Sequence, residues 1–192
     1  LNLQKEALLI QRELGNEVNQ GLCLNNIGSS YFFKGQFEDA ATYFQQALQL
    51  REKTKRPDEI AETVHNLGET SANLGQYDRA LSYYLRALEL YRGTGDKRGA
   101  AIESSSIGTL FLYQGRFGAA VSSKQDALKT FRELGDRSFW MVEVLSSYGD
   151  ALIQAGRTEE SKGILDEAMN LARELKNEAF VAQIVNYQGD GA

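Results

Sequence analysis

The sequence predicts an all-α fold, an α-solenoid of antiparallel helix pairs, and three observations predict it. Glycine recurs at 28, 68, 108, 149 and 189, in steps of 40, 40, 41 and 40 residues. Gly35, Gly75, Gly115 and Gly156 keep the same rhythm, and so do Ala47, Ala87, Ala127 and Ala168. Between these marks apolar residues such as Ile27, Tyr31 and Phe32 recur at three- and four-residue steps, the period of a helix with one buried face. A unit of this length cannot bury its apolar face alone, so copies must stack on one another.

The elements follow in order. Residues 1–14 read as a lone helix of the second kind in the repeat (helix B), with Leu3, Ala7, Leu8, Ile10 and Leu14 on its apolar side. Pairs of a helix A and a helix B then occupy 16–54, 56–94, 96–134 and 136–175, and a lone helix A spans 177–190. In the first pair, helix A runs from about Glu17 to Lys34, and Gly35 ends it as a left-handed C-terminal residue. Helix B starts at "QFEDA" and runs past Leu50. Gly15, Gly95 and Gly135 form a third, sparser series. Asn16, Asp96, Asp136 and Asn177 lie where the following helix A wants an N-cap acceptor, and Pro57 suits a first helical turn. The extra residue of the fourth pair falls between Phe131 and Trp140. Residues 1–192 therefore make a single array. Its opening inside a helical pattern without Met, and its close on "YQGDGA", are those of a piece of a longer protein.

Gly28 sits inside a helix, where glycine costs about 1 kcal/mol relative to alanine. Its periodic recurrence calls for a reason common to every pair, and the crossing of helices A and B supplies one. Gly28 against Ala40, and Gly68 against Ala80, are the small residues expected to let the two helices approach. Phe37, Phe44 and Leu48, with Tyr77, Tyr84 and Leu88, are expected to fill the volume between units.

Composition narrows the function. The formal charge is −5, from 21 basic and 26 acidic residues, which argues against a nucleic-acid footprint. No apolar run approaches the ~18 residues of a membrane span, so no membrane partner is expected. Cys23 is the only cysteine, which excludes an internal disulfide and suits a reducing, cytoplasmic setting. His65 is the only histidine, so no two-histidine metal site can form, and neither a metal nor a cofactor is expected. "SSIGTLFLYQG" has glycines but lacks the Gly-Lys-Ser/Thr ending of a phosphate loop. Cys23 and His65 lie one repeat apart on neighbouring A helices. Their adjacency alone does not make a nucleophile pair, and the plainer expectation is a packed cysteine and a polar surface histidine. No nucleophile, base and oxyanion donor can be assembled, so the chain is not expected to be an enzyme.

Leu24-x2-Ile27-Gly28-x2-Tyr31 followed by Ala40-x3-Phe44 resembles the tetratricopeptide-repeat pattern, and Val64-x2-Leu67-Gly68 with Ala80-x3-Tyr84 repeats it. Later copies are degenerate, with Ser104 and Leu145 at the first aromatic place, Lys124 and Leu165 for Phe44, and Ser161 for Ala40. The closing proline of the pattern is absent. A 40-residue unit is similar to arrays of the kinesin-light-chain type, also common in bacterial regulators.

The resemblance implies that the α-solenoid is right-handed, and that it is a non-catalytic scaffold that binds a protein or peptide within a multidomain regulatory protein, with the A helices lining a concave groove. Carried onto this sequence, the groove face holds Leu22, Asn25, Asn26, Ser29 and Phe33, then Glu62, His65, Asn66, Glu69 and Asn73. The third and fourth units contribute Ile102, Ser105, Ser106, Thr109 and Tyr113, then Glu143, Ser146, Ser147, Asp150 and Gln154. Asn26 and Asn66 resemble the asparagine with which related arrays grip a peptide main chain, and an amide both donates and accepts. The plainer reading of the two asparagines is capping or hydration.

Those groove positions include Glu62, Glu69, Glu143 and Asp150 but no Lys or Arg. The carboxylate clamp of chaperone-binding members is therefore missing, and a neutral or basic segment is the expected partner. Phe139 and Trp140, in "RSFWMVE", are expected to pack on the preceding helix B. The alternative function is end-to-end homo-oligomerisation through apolar stripes on the terminal helices, Leu3, Ala7, Leu8 and Ile10 at one end and Phe180, Val181, Ile184 and Val185 at the other.

Overall fold

The computed structural model describes residues 1–190, with the side chains of Gln188 and Asp190 left aside. The closing Gly191 and Ala192 of the expected array lie outside the described residues. The chain divides into two compact units, Leu1–Asp96 and Lys97–Ala192. The first holds α1 (Asn2–Glu13), α2 (Glu17–Phe32), α3 (Phe37–Thr54), α4 (Pro57–Asn73) and α5 (Tyr77–Thr94). The second holds α6 (Lys97–Tyr113), α7 (Phe117–Glu133), α8 (Phe139–Gln154), α9 (Thr158–Glu174) and α10 (Glu178–Asp190). The described residues contain no strand, and none of their helices is long and apolar enough to cross a membrane.

The first unit is built by α2 against α3 and α4 against α5, with α3 packed on α4 and α1 on α2. Its core joins Ala40, Phe44 and Leu48 of α3 to Val64 and Leu67 of α4. Full burial of a side chain such as Phe44 contributes roughly 2–3 kcal/mol. The second unit repeats the plan, with α6 on α7, α8 on α9, α7 on α8 and α10 on α9. Leu128, Phe131, Met141, Leu145, Leu165 and Ile184 are among its core residues.

Each A helix ends as its glycine requires. Gly35 adopts φ +71°. The N–H of Gln36 donates to the Tyr31 carbonyl at 3.0 Å and that of Gly35 to Phe32 at 2.9 Å, the paired bonds of a Schellman motif. Gly75, Gly115 and Gly156 repeat this left-handed geometry. At the ends of the B helices the same conformation falls to Gly95 in one repeat and to Lys55 (φ 54°) and Lys176 (φ 55°) in others.

The crossing glycines face a different partner from the one expected. A methyl placed on Gly28 would stand 2.7 Å from the Phe44 ring, and one on Gly68 would stand 2.6 Å from Tyr84, so the alanines at 40 and 80 are not what the glycines accommodate. Side chains on a helix lean back toward its N-terminus, so the ring at 44 covers the turn around Ala40 and presses on α2. Gly149 meets Leu165 in the same way. At Gly108 the neighbour is the stem of Lys124, at 2.9 Å, with the Ala120 carbonyl at 3.3 Å.

Two further expectations are corrected. Asp136 does not cap α8. That helix begins at Phe139, its N-cap is Ser138, and Asp136 instead accepts the Ser138 N–H at 2.7 Å and pairs with Arg98. The extra residue of the fourth pair lengthens this turn and moves the helix start past Asp136. Burial opposes ionisation of Asp136, but hydrogen bonds from Ser138 and Arg98 outweigh it and hold the carboxyl below its usual range. Asn16 and Asn177 do cap, accepting from the Asn19 and Phe180 N–H groups. The stripe on α10 is only partly open: Ile184 is fully buried and Phe180 and Val181 pack against the core, while Val185 stays exposed. On α1, Leu8 is buried beneath α2, while Leu3, Leu9, Ile10 and Leu14 stay exposed.

Candidate functional site

The A helices of the first unit are α2 and α4. Asn25, on α2, is only 2% exposed. Its Nδ2 donates to Glu62 Oε1 at 3.1 Å, and its Oδ1 accepts from Asn66 Nδ2 at 3.2 Å. The two asparagines therefore tie neighbouring A helices together. Asn66 remains half-buried, and Asn26, the next residue along α2 from Asn25, is exposed. Ser29 donates to the Asn25 carbonyl at 3.1 Å and Asn73 to that of Glu69 at 2.9 Å, local bonds that hold both side chains along their own helix. His65 Nε2 is 3.7 Å from Glu69 Oε1, too long for a direct hydrogen bond. Cys23 packs beside the cluster of Leu8, Leu24, Ile27 and Ala47.

Beneath this face lies Arg51 of α3, fully buried. Its Nη1 donates to the Glu59 carbonyl at 2.7 Å, to Thr63 Oγ1 at 2.6 Å and to Glu62 Oε2 at 3.1 Å. Glu62 is thus held between Arg51 and Asn25. Sequence reasoning passed over Arg51 because it looked only along the A helices. The signal was in the register: positions 91 and 131, one and two repeats on, hold Tyr91 and Phe131.

In the second unit α6 and α8 carry the corresponding face. Ser105 and Ser147 stand 3.5 Å apart, Oγ to Oγ, where Asn25 and Asn66 meet in the first. Ser106 and Thr109 are half-buried, Tyr113 is 61% exposed, and Glu143 is exposed on α8 with Asp150 half-buried. Ser146 is buried, its hydroxyl donating to the Val142 carbonyl at 2.7 Å, and so lies off the face on which it was expected. Gln154 donates to Asp150 Oδ1 at 3.4 Å. Trp140 packs against the core and Phe139, half-exposed, lies over it with ring centroids 4.5 Å apart.

A second buried cation serves this face. Lys124 of α7 takes the register position of Phe44, Tyr84 and Leu165. Its Nζ donates to the Ser105 carbonyl at 3.2 Å and to Thr109 Oγ1 at 2.8 Å. Burial pushes the amine down from 10.5 to about 8, against the opposing pull of Asp150 and Glu143. The named positions of the A-helix faces carry no Lys or Arg, yet each unit receives a cation from a B helix below.

This geometry, with its glycine and alanine register, suits one repeat family. A family model described as Tetratricopeptide repeat matches residues 1–53 and 59–133. The chain belongs to the tetratricopeptide-repeat family. That fold is generally a non-catalytic scaffold for protein interaction. No curated protein matches the chain.

Among solved structures, BtubC (BKLC) from P. vanneervenii superposes with TM-score 0.77 at 19% identity, over 92% of this chain and 73% of that one. A Podosopora anserina putative kinesin light chain with nearly identical TPR-like repeats gives 0.70 at 13%, over 91% and 86%. The Rap conjugation gene regulator of plasmid pLS20, in complex with the Phr* peptide, gives 0.84 at 16%, over 95% of this chain and 50% of that one. At such identities the likeness is one of fold. The chain thus spans half of the Rap regulator and most of the other two.

Proposed function

We infer that the array is a peptide- or protein-binding module whose exposed A-helix faces, α2 with α4 and α6 with α8, hold a segment of a partner. The observation that carries this reading is the state of Asn66. Its Nδ2 is fixed by Asn25 while the residue stays half-exposed, so the amide is oriented beside open surface. An oriented amide retains a donor hydrogen and an acceptor oxygen, the complement of a peptide group. The peptide held by the Rap regulator belongs to that protein and serves here as a precedent for the fold. Glu62, Glu69, Glu143 and Asp150 favour a neutral or basic segment over an acidic one.

Selection from a random peptide display library, run side by side on the wild type and on Asn26→Ala/Asn66→Ala, tests the reading. The wild type should enrich peptides that the double variant no longer retains while its circular dichroism stays helical. Equal retention by both proteins would count against the groove.

A further inference from the structure

The core of each pair repeats every 40 or 41 residues, as Gly28, Gly68, Gly108 and Gly149 show. The exposed stripes of the A helices do not. On α2 the stripe runs Leu22, Asn26, Ser29, Phe33, and on α6 it runs Ile102, Ser106, Thr109, Tyr113, each residue 80 positions on. Both stripes read aliphatic, small polar, hydroxyl, aromatic. On α4 the stripe is Glu62, Asn66, Glu69, Asn73, and on α8 it is Glu143, Ser147, Asp150, Gln154, each 81 positions on. Both read acid, small polar, acid, amide. Spacings of four, three and four place each set on one side of its helix.

Packing does not explain this doubled period. A residue demanded by the fold would return in every repeat, as the crossing glycine does, whereas from α2 to α8 these positions alternate between two chemistries, and α10 carries Gln183 and Tyr187 in their place. They are also not core: none of the residues on the four stripes is buried, and Phe33 is 86% exposed. The inter-helix link is doubled too, Asn25 to Asn66 in one unit and Ser105 to Ser147 in the other.

We propose that the array carries two chemically equivalent subsites, one on α2 and α4 and one on α6 and α8, each taking a cationic side chain of the bound segment. The inference rests on the groove reading above and names what the groove selects. The aliphatic stem of a lysine or arginine lies against Phe33 or Tyr113, and its charge meets Glu69 or Asp150. An exposed aromatic and a carboxylate on neighbouring A helices offer a cation both ring-face attraction and an ion pair, while the stem covers apolar surface. Glu62 is already engaged by Arg51 and Asn25, which leaves Glu69, 41% exposed at its side chain, as the acid of the first subsite. The occupant is a peptide segment with at least two basic residues.

The test is an NMR titration of the full chain, reading backbone amides. The probe is a capped heptapeptide with lysine at its first, fourth and seventh positions and alanine and glycine between; the control replaces each lysine by glutamate. The lysine peptide should shift amides on both pairs of stripes and the glutamate peptide neither. Glu69→Gln should weaken the response of α2 and α4 about fivefold and leave α6 and α8 unchanged, and Asp150→Asn should do the converse. Phe33→Ser and Tyr113→Ser, at exposed positions, should repeat that division should either carboxylate variant disturb folding.

Equal shifts by both peptides would overturn the cationic subsites while leaving the groove reading intact. Shifts confined to the B helices would sink both. A response in one unit only, no response at all, or one variant abolishing both responses would overturn the proposal; in those cases the display selection still decides the groove reading.

Discussion

The Lys124 ammonium donates to the Thr109 hydroxyl at 2.8 Å from a position that Phe44, Tyr84 and Leu165 fill in the other repeats. A buried amine whose two hydrogen-bond acceptors are neutral oxygens is costly, because burial disfavours its charged form. Its pKa of about 8 in the folded chain, against 10.5 when exposed, links stability to pH. Between those values the unfolded chain holds a proton that the folded chain has released, so stability rises with pH across that window and is flat below it. The full rise is about 3 kcal/mol. Lys124→Leu should raise the melting temperature at pH 7 and abolish the difference between melts at pH 7 and pH 10 attributable to this group. A variant with the same pH dependence as the wild type would show that Lys124 is not the linked group.

The crossing glycines make a prediction opposite to helix propensity. Gly68→Ala should lower the melting temperature by several degrees, since its methyl would lie 2.6 Å from the Tyr84 ring and overpacking costs about 1–3 kcal/mol. Gly93→Ala is the control: that helical position has nothing within 4 Å, so alanine should raise stability by up to about 1 kcal/mol. Thermal denaturation of the two variants checks the sign of each effect.

Lys55 and Lys176 hold left-handed conformations that Gly15, Gly95 and Gly135 adopt without a Cβ. Each lysine bears about 1 kcal/mol of backbone strain. Lys55→Gly and Lys176→Gly should therefore each stabilise by roughly 0.5–1 kcal/mol in urea titrations.

Arg51 is expected to behave as a structural anchor. Arg51→Ala leaves the Thr63 hydroxyl, the Glu59 carbonyl and the Glu62 carboxylate without their cation. A loss of about 3 kcal/mol follows, whereas Glu62→Gln, at a carboxylate 53% exposed, should cost less than about 1 kcal/mol. Arg51→Tyr, copying register position 91, should recover part of the loss. Equal effects of Arg51→Ala and Glu62→Gln would contradict the anchoring role.

Most of the fold was legible in the sequence because a repeat states each packing requirement several times. Gly35 and its periodic partners marked helix ends through backbone conformation, which depends on local geometry alone. The partner of Gly28 was misread because spacing gives the turn on which a residue sits but not the direction in which a neighbouring side chain leans. The cap at Asp136 was misread for a related reason: one extra residue shifts which side chain precedes the helix. Arg51 and Lys124 were missed as groove components because each starts in the core of a B helix and reaches the A-helix face only at its tip. The packing of α10 also escaped the sequence. Its apolar stripe gave no sign that α9 and the core around Leu165 already cover Ile184.

The central claim, that the A-helix faces hold the partner, is tested most directly by amide hydrogen exchange with and without a display-selected peptide. The account predicts slowed exchange concentrated in α2, α4, α6 and α8, and its loss in Asn26→Ala/Asn66→Ala. Slowing concentrated in α3, α5, α7 and α9, or on the exposed apolar side of α1, would contradict it.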